Sequence, residues 1–169
     1  ANLTCVWVVN DWDSIIPNLL AGNYDTIIAG MSITEERDKV IDFTQAYYPP
    51  APSFYVALDG ANANLKSGVI AAQTGTIQAG HVAATGATLV EFATPDETIA
   101  AVRNGEADAV LADSDYLAPI IKESGGKLVQ VGEVYLGDGI GLGVRETDNA
   151  LKEKMNKAIT LMKQDGSLN

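Results

Sequence analysis

Two rhythms of apolar and polar positions run along this chain. Leu3–Val9 (LTCVWVV) carries β-branched bulk at Val6, Val8 and Val9 and predicts a strand. Asn10-Asp11-Trp12-Asp13 then turns into a helix, with Asp13 as N-cap and Ile15, Ile16, Leu19 and Leu20 as the apolar stripe. Pro17 lies early enough to be tolerated, and Gly22-Asn23 ends the helix. Ile27-Ile28-Ala29 predicts a short buried strand that stops at Gly30. Ser32 and Thr34 are candidate caps for a helix whose first turn holds Glu35 and Glu36. Pro49-Pro50-Ala51-Pro52 is extended, Ser53–Leu58 alternates as a strand, and Asp59–Asn62 forms a loop.

From Gly68 strand and helix patterns alternate, which predicts a parallel sheet covered by helices. The strands fall at 68–72, 88–92 and 108–112, and the helices at 76–84, 96–104 and 114–124. Lys127–Val131 adds a short strand, and Val134–Leu136 leads back toward the first half. Gly139–Val144 is a glycine-rich strand. A last helix from about 148 to 163 places Leu151, Met155, Ile159 and Met162 on one face.

The chain also repeats itself. DSIIPNLLAGNYDTIIAG (13–30) lies over DETIAAVRNGEADAVLAD (96–113) at a constant offset of 83. Asp13, Ile16, Gly22, Asp25 and Ala29 match Asp96, Ile99, Gly105, Asp108 and Ala112. Each copy reads as helix, glycine turn, buried strand. Such an offset is too long for a solenoid, and two copies of one α/β unit point to two similar lobes. Lobe one is expected over 1–54 and 137–169, and lobe two over 55–136. The register brings Gly30 and Asp113 to equivalent places just past their strands.

Composition narrows the chemistry. At 169 residues the chain can build one large domain or two small cored lobes. A net charge of −11 makes nucleic acid and anionic membranes poor partners. No apolar run is long enough to span a membrane. The lone Cys5 excludes an internal disulfide, and with the lone His81 it leaves no metal cluster or catalytic triad to assemble. There is no nucleophile elbow, H-E-x-x-H or phosphate loop, so neither an enzyme nor a cofactor is expected. The glycines of Gly139-Ile140-Gly141 lack the helix spacing of a dinucleotide site.

Several residues could instead hold a ligand. Ala29 and Gly30 end a strand where backbone can approach a bound molecule. Arg37 breaks an acidic first turn, which the helix dipole disfavours, and its planar fork matches a carboxylate. A surface pairing with Glu36 or Asp38 explains it equally well. Trp12, at a strand end, is either partial core or a ligand platform. Thr76 and the Ile77 N–H open a helix after a glycine turn, a place that favours an anion. Gln73 in the same loop is a side-chain reader or a polar strand end. Asp113 either caps the helix after it or accepts from a ligand cation, and a carboxylate has room for both.

The run AGMSITEERDKVIDFTQAYY, with Gln73-Thr74-Gly75-Thr76, Asp113 and the closing GIGLGVRETDNALKEKMNKAITLMKQDGS, resembles the polar amino-acid solute-binding proteins of bacterial ABC transporters. The resemblance covers essentially the whole chain. It implies a two-lobed periplasmic binding protein-like α/β fold with a ligand cleft between the lobes. It implies that Ser32 and Arg37 hold the α-carboxylate of a free L-amino acid, Asp113 its α-ammonium, and Trp12 its side chain. The ligand would be basic or polar: lysine, arginine, ornithine, histidine or glutamine. The partner would be the membrane permease of an ABC transporter, and the location periplasmic, or extracellular as a membrane-anchored lipoprotein. Members of the family often carry a second cysteine shortly upstream of the Cys5 position. They also begin with a strand and helix ahead of the segment matching Leu3-Thr4-Cys5. Lobe two has such a pair at 68–72 and 76–84 whereas lobe one has none, so the first strand and helix are expected to be missing here. The runner-up is a cyclohexadienyl or arogenate dehydratase-like enzyme on the same fold. A receptor domain like that of ionotropic glutamate receptors would need membrane helices where this chain has the polar loop Asp59–Ser67.

Overall fold

A computed structural model describes residues 4–168. Its regular elements, in order, are α1 (Ile15–Leu20), β1 (Asp42–Phe43), β2 (Pro52–Leu58), β3 (Val69–Gln73), α2 (Ile77–Ala83), β4 (Thr88–Phe92) and α3 (Pro95–Asn104). There follow β5 (Ala109–Asp113), α4 (Ser114–Glu123), β6 (Leu128–Tyr135), β7 (Gly143–Val144) and α5 (Asn149–Asp165). The chain divides into two compact units, one of Ala1–Pro50 with Gly137–Asn169 and one of Ala51–Leu136.

The continuous unit is a five-stranded sheet in the order β4-β3-β5-β2-β6. β3 runs parallel to β4 and β5, whereas β2 is antiparallel to both β5 and β6. The parallel strands of the sequence expectation are therefore present, extended by two antiparallel ones. Side chains alternate between the faces of a strand. Val56, Ala71 and Val110 accordingly pack with Ile99, Val102 and Leu117 of α3 and α4, while Tyr55, Ala57, Ile70, Ala109 and Leu111 pack with Val82 of α2. Both faces are covered, which is why these strands read as continuous apolar runs. Helix α3 carries the cleanest local signals. Thr94 and Glu97 form a reciprocal capping box, Pro95 takes the first position, and Gly105 ends the helix at φ +74°.

The discontinuous unit is irregular, and several expectations fail in it. Residues 4–9 of the predicted Leu3–Val9 strand form no regular structure, and Val6 and Val9 are 85% and 99% exposed. Leu3 lies outside the described residues. β-Branched propensity cannot make a strand without a neighbouring ladder, and none pairs here among the described residues. Asp13 is not the cap it was expected to be, because Trp12–Ser14 forms a 3₁₀ turn and Ser14 precedes α1. The Ile27–Ala29 strand reduces to a single bridge from Ile27 to Gly143, since Gly30 turns left-handed at φ +64° and interrupts the ladder. The helix expected after Thr34 is only a 3₁₀ turn, Arg37–Lys39. Pairing of β1 with β7 draws the following residues into extended structure and overrides the helical start.

What organises this unit is the glycine-rich segment 139–144. One side takes hydrogen bonds with residues 27–33, including Ile27 N–H to Gly143 O and Ile33 N–H to Gly139 O. Its other side bonds residues 44–48. Added Cβ atoms would lie 2.8 Å from Tyr48 O at Gly139 and 3.0 Å from Ile33 at Gly141. The glycines admit the close approach of neighbouring chain segments. Leu19, Ile27, Met31, Ile41 and Phe43 form the core beneath. α5 buries Ile159, whereas Met162, predicted to face inward, is 37% exposed. Lys152 to Asp42 and the paired Gln45–Asn156 hydrogen bonds anchor that helix.

Candidate functional site

In the discontinuous unit the candidate residues gather around Arg37. Its Nη1 donates to the Ser32 carbonyl at 2.9 Å, and its guanidinium carbon stands 5.5 Å from the centroid of the Trp12 ring. That is cation–π range. The Thr34 hydroxyl accepts from the Arg37 N–H at 3.2 Å, so S-I-T-x-x-R folds into a tight turn that aims the arginine. Ser32 is buried and bridges Ile140. Trp12 and Arg37 are half-buried, and Ala29 and Gly30 are exposed. Gly30 also bonds the Tyr47 phenol through its backbone. Burial pushes that phenol above its ordinary value and the Gly30 bond opposes the shift.

In the continuous unit the candidates line one concavity of about 180 Å³, with Gln73, Thr76, Gln78, Thr98, Asp113 and Tyr116 on its wall. Thr76 caps α2, accepting from the Ala79 N–H at 3.2 Å and donating to the Gln73 carbonyl at 2.7 Å. The N–H of Ile77 is in the first turn, where no intrahelical acceptor exists. Gln73 ends β3, and its amide donates to the Ala93 carbonyl at 3.0 Å. Asp113 precedes α4, but its side chain does not cap that helix. It accepts instead from Gln78 Nε2 at 2.6 Å. The tyrosine on the wall, Tyr116, donates to Asp96 at 2.8 Å, and burial together with that carboxylate raises its phenol well above the usual range.

Within each unit, then, the candidate residues lie together: Trp12, Ser32 and Arg37 in one, Gln73, Thr76, Ile77 and Asp113 in the other. The donors of the first suit an anion, and the exposed carboxylate of the second suits a cation. The chain matches the bacterial extracellular solute-binding proteins, family 3, over residues 1–169. It belongs to that family.

Other members are similar along almost all of this chain. The L-arginine-binding protein of Pseudomonas aeruginosa is 33% identical over 178 residues, covering 96% of this chain and 68% of that protein. The histidine-binding periplasmic protein of Salmonella typhimurium is 32% identical over 181 residues, covering 98% and 70%. A crystal structure of a periplasmic His/Glu/Gln/Arg/opine family-binding protein from Silicibacter pomeroyi in complex with lysine is 68% identical. It superposes with a TM-score of 0.95, covering 99% of this chain and 76% of that one. The α/β fold expected from the sequence is therefore the fold of periplasmic amino-acid-binding proteins. No helix among the described residues of this family member is long and apolar enough to cross a membrane.

Sequence reasoning passed over three residues that the structure brings to these groups. Gln78 and Ser53 are buried against Asp113, and Tyr47 reaches Gly30. Gln78 had one legible signal, a polar residue next to Ile77 on the face of α2 that carries Val82 at i+4 into the core.

Proposed function

We propose that this solute-binding protein captures a free L-amino acid with a basic or polar side chain and hands it to the permease of an ABC transporter. The observation that carries the reading is the Arg37 guanidinium, fixed between the Ser32 carbonyl and the Trp12 ring. A guanidinium carries five donors in a planar fork, the arrangement that takes a carboxylate in two-point fashion. Ser32, with the backbone of Ala29 and Gly30, completes that half of the recognition. Asp113 receives the α-ammonium, and Thr76 with the Ile77 N–H supports the α-carboxylate, the threonine by turning its hydroxyl proton outward. Trp12 packs on the aliphatic stem or distal cation of the side chain, because an indole face attracts a cation. Gln73 reads the far polar group.

The names of relatives support this range, since they are arginine-, histidine- and lysine/arginine/ornithine-binding proteins, and one similar structure holds lysine. Those relatives are binding proteins, which favours binding over the dehydratase alternative. Several are named periplasmic, and the periplasm is the location we propose. A thermal-shift panel of the twenty amino acids tests the ligand class, because a ligand at 100 times its Kd stabilises by about 2.7 kcal/mol. Lysine, arginine, histidine or glutamine should raise the Tm most. A largest rise with glutamate or leucine, or no rise at all, would contradict the assignment.

A further inference from the structure

We infer that Gln78 is the positioning residue for the Asp113 carboxylate, and that through it the protein tells a ligand with an α-ammonium from one without. The inference rests on the role proposed for Asp113. Ser53 of β2 and Asp113 of β5 stand directly opposite each other in the antiparallel ladder, so their side chains leave the same face of the sheet. That face is the one α2 covers, with Tyr55, Ala109 and Leu111 beneath Val82. Gln78, the second residue of α2, reaches down onto both. Its amide nitrogen stands 3.0 Å from Ser53 Oγ and 2.6 Å from Asp113 Oδ1.

The chemistry fixes the arrangement. An ionised carboxylate only accepts, so the nitrogen end of the amide must face it. An amide nitrogen has two hydrogens, and two acceptors take both, which locks the side-chain torsions. Gln78 is 5% exposed and Ser53 is 1% exposed, whereas Asp113 is exposed toward the concavity. A buried amide costs stability unless it is bonded, and a methionine would fill the same volume without that cost. The glutamine earns its place through the carboxylate it grips. Asp113 also sits where a carboxylate ordinarily caps a helix, yet α4 receives no cap from it. The buried amide turns it toward the concavity instead. A carboxylate can accept about four hydrogen bonds, so the bond from Gln78 orients the group while it takes others.

The test compares L-lysine with 6-aminohexanoate, which keeps the carboxylate and the distal ammonium but lacks the α-ammonium. Affinities of the wild type, Gln78→Met, Ser53→Ala and Asp113→Asn are measured by calorimetric titration, with competition against lysine for the weaker ligand. Gln78→Met should weaken L-lysine about tenfold or more, because a charge-assisted hydrogen bond is lost, and change 6-aminohexanoate by less than about threefold. Ser53→Ala, which removes only the second tether, should shift the ratio in the same direction by a smaller factor. It carries the test if Gln78→Met does not fold. In the Asp113→Asn background, Gln78→Met should add little. Equal losses for both ligands, or an unchanged ratio in Gln78→Met and Ser53→Ala while Asp113→Asn collapses it, would overturn the role of Gln78 alone. An unchanged ratio in Asp113→Asn, or a wild type that takes no lysine, would overturn the reading of Asp113 and this inference with it.

Discussion

Gly139 is where one residue's geometry most constrains the discontinuous unit. At φ +105° it adopts a backbone that L side chains rarely enter, and a Cβ there would stand 2.8 Å from the Tyr48 carbonyl. Strain of this kind costs on the order of 1–3 kcal/mol. Gly139→Ala should lower the denaturation midpoint accordingly in a chemical unfolding series, and an unchanged midpoint would contradict the close approach. The glycine run was legible in the sequence, but its reason was not. The backbone contact depends on Tyr48, far from Gly139 in the sequence. Arg37 is the opposite case. Its odd charge in an acidic turn marked it from the sequence, and the structure places it against the Ser32 carbonyl and the Trp12 ring.

At the scale of elements, legibility follows how local the signals are. Helix α3 announces itself through Pro95 and Glu97 in its first turn and through Thr94 and Gly105, the caps that flank it. Thr94→Ala removes the capping box and should cost about 0.5–2 kcal/mol, read as a lower Tm; no change would mean that the box is idle. The 27–48 segment could not be read this way, because Gly30 and the pairing with 139–144 decide its shape. The repeat is nonetheless visible in both copies. A helix, a left-handed glycine (Gly22 at +81°, Gly105 at +74°) and a return to the extended state recur at the predicted offset. Packing of α3 beside α4 carries a pH prediction. Burial and the Asp96 carboxylate favour the protonated Tyr116 phenol in the folded state, raising it from an ordinary 10.0. Its stabilisation is complete below about pH 10 and is lost as pH rises beyond that, where the unfolded phenol ionises first. The unfolding free energy of the wild type should fall above pH 10, and Tyr116→Phe should fall less steeply. Identical slopes would contradict the coupling; burial of Tyr24, Tyr47 and Tyr55 leaves a residual slope in both.

For the molecule as a whole, the sequence carried the α/β class and the family, because both reside in long motifs and in period-two and period-3.6 patterns. It did not carry Gln78 and Ser53, since a buried polar pair acquires meaning only when its neighbours are known. The net charge of −11 fits a ligand range that includes cations, by raising their local concentration at low salt. The central claim is that Arg37 takes the α-carboxylate of a free amino acid. Calorimetric titration of L-lysine, L-arginine, L-histidine and L-glutamine into the wild type and Arg37→Ala tests it most directly. Removing one member of a desolvated charge pair strands the other, so the variant should lose about 2–5 kcal/mol of affinity for whichever of these the wild type binds. Equal affinities in the two proteins, or turnover of prephenate or arogenate by the wild type, would contradict the account.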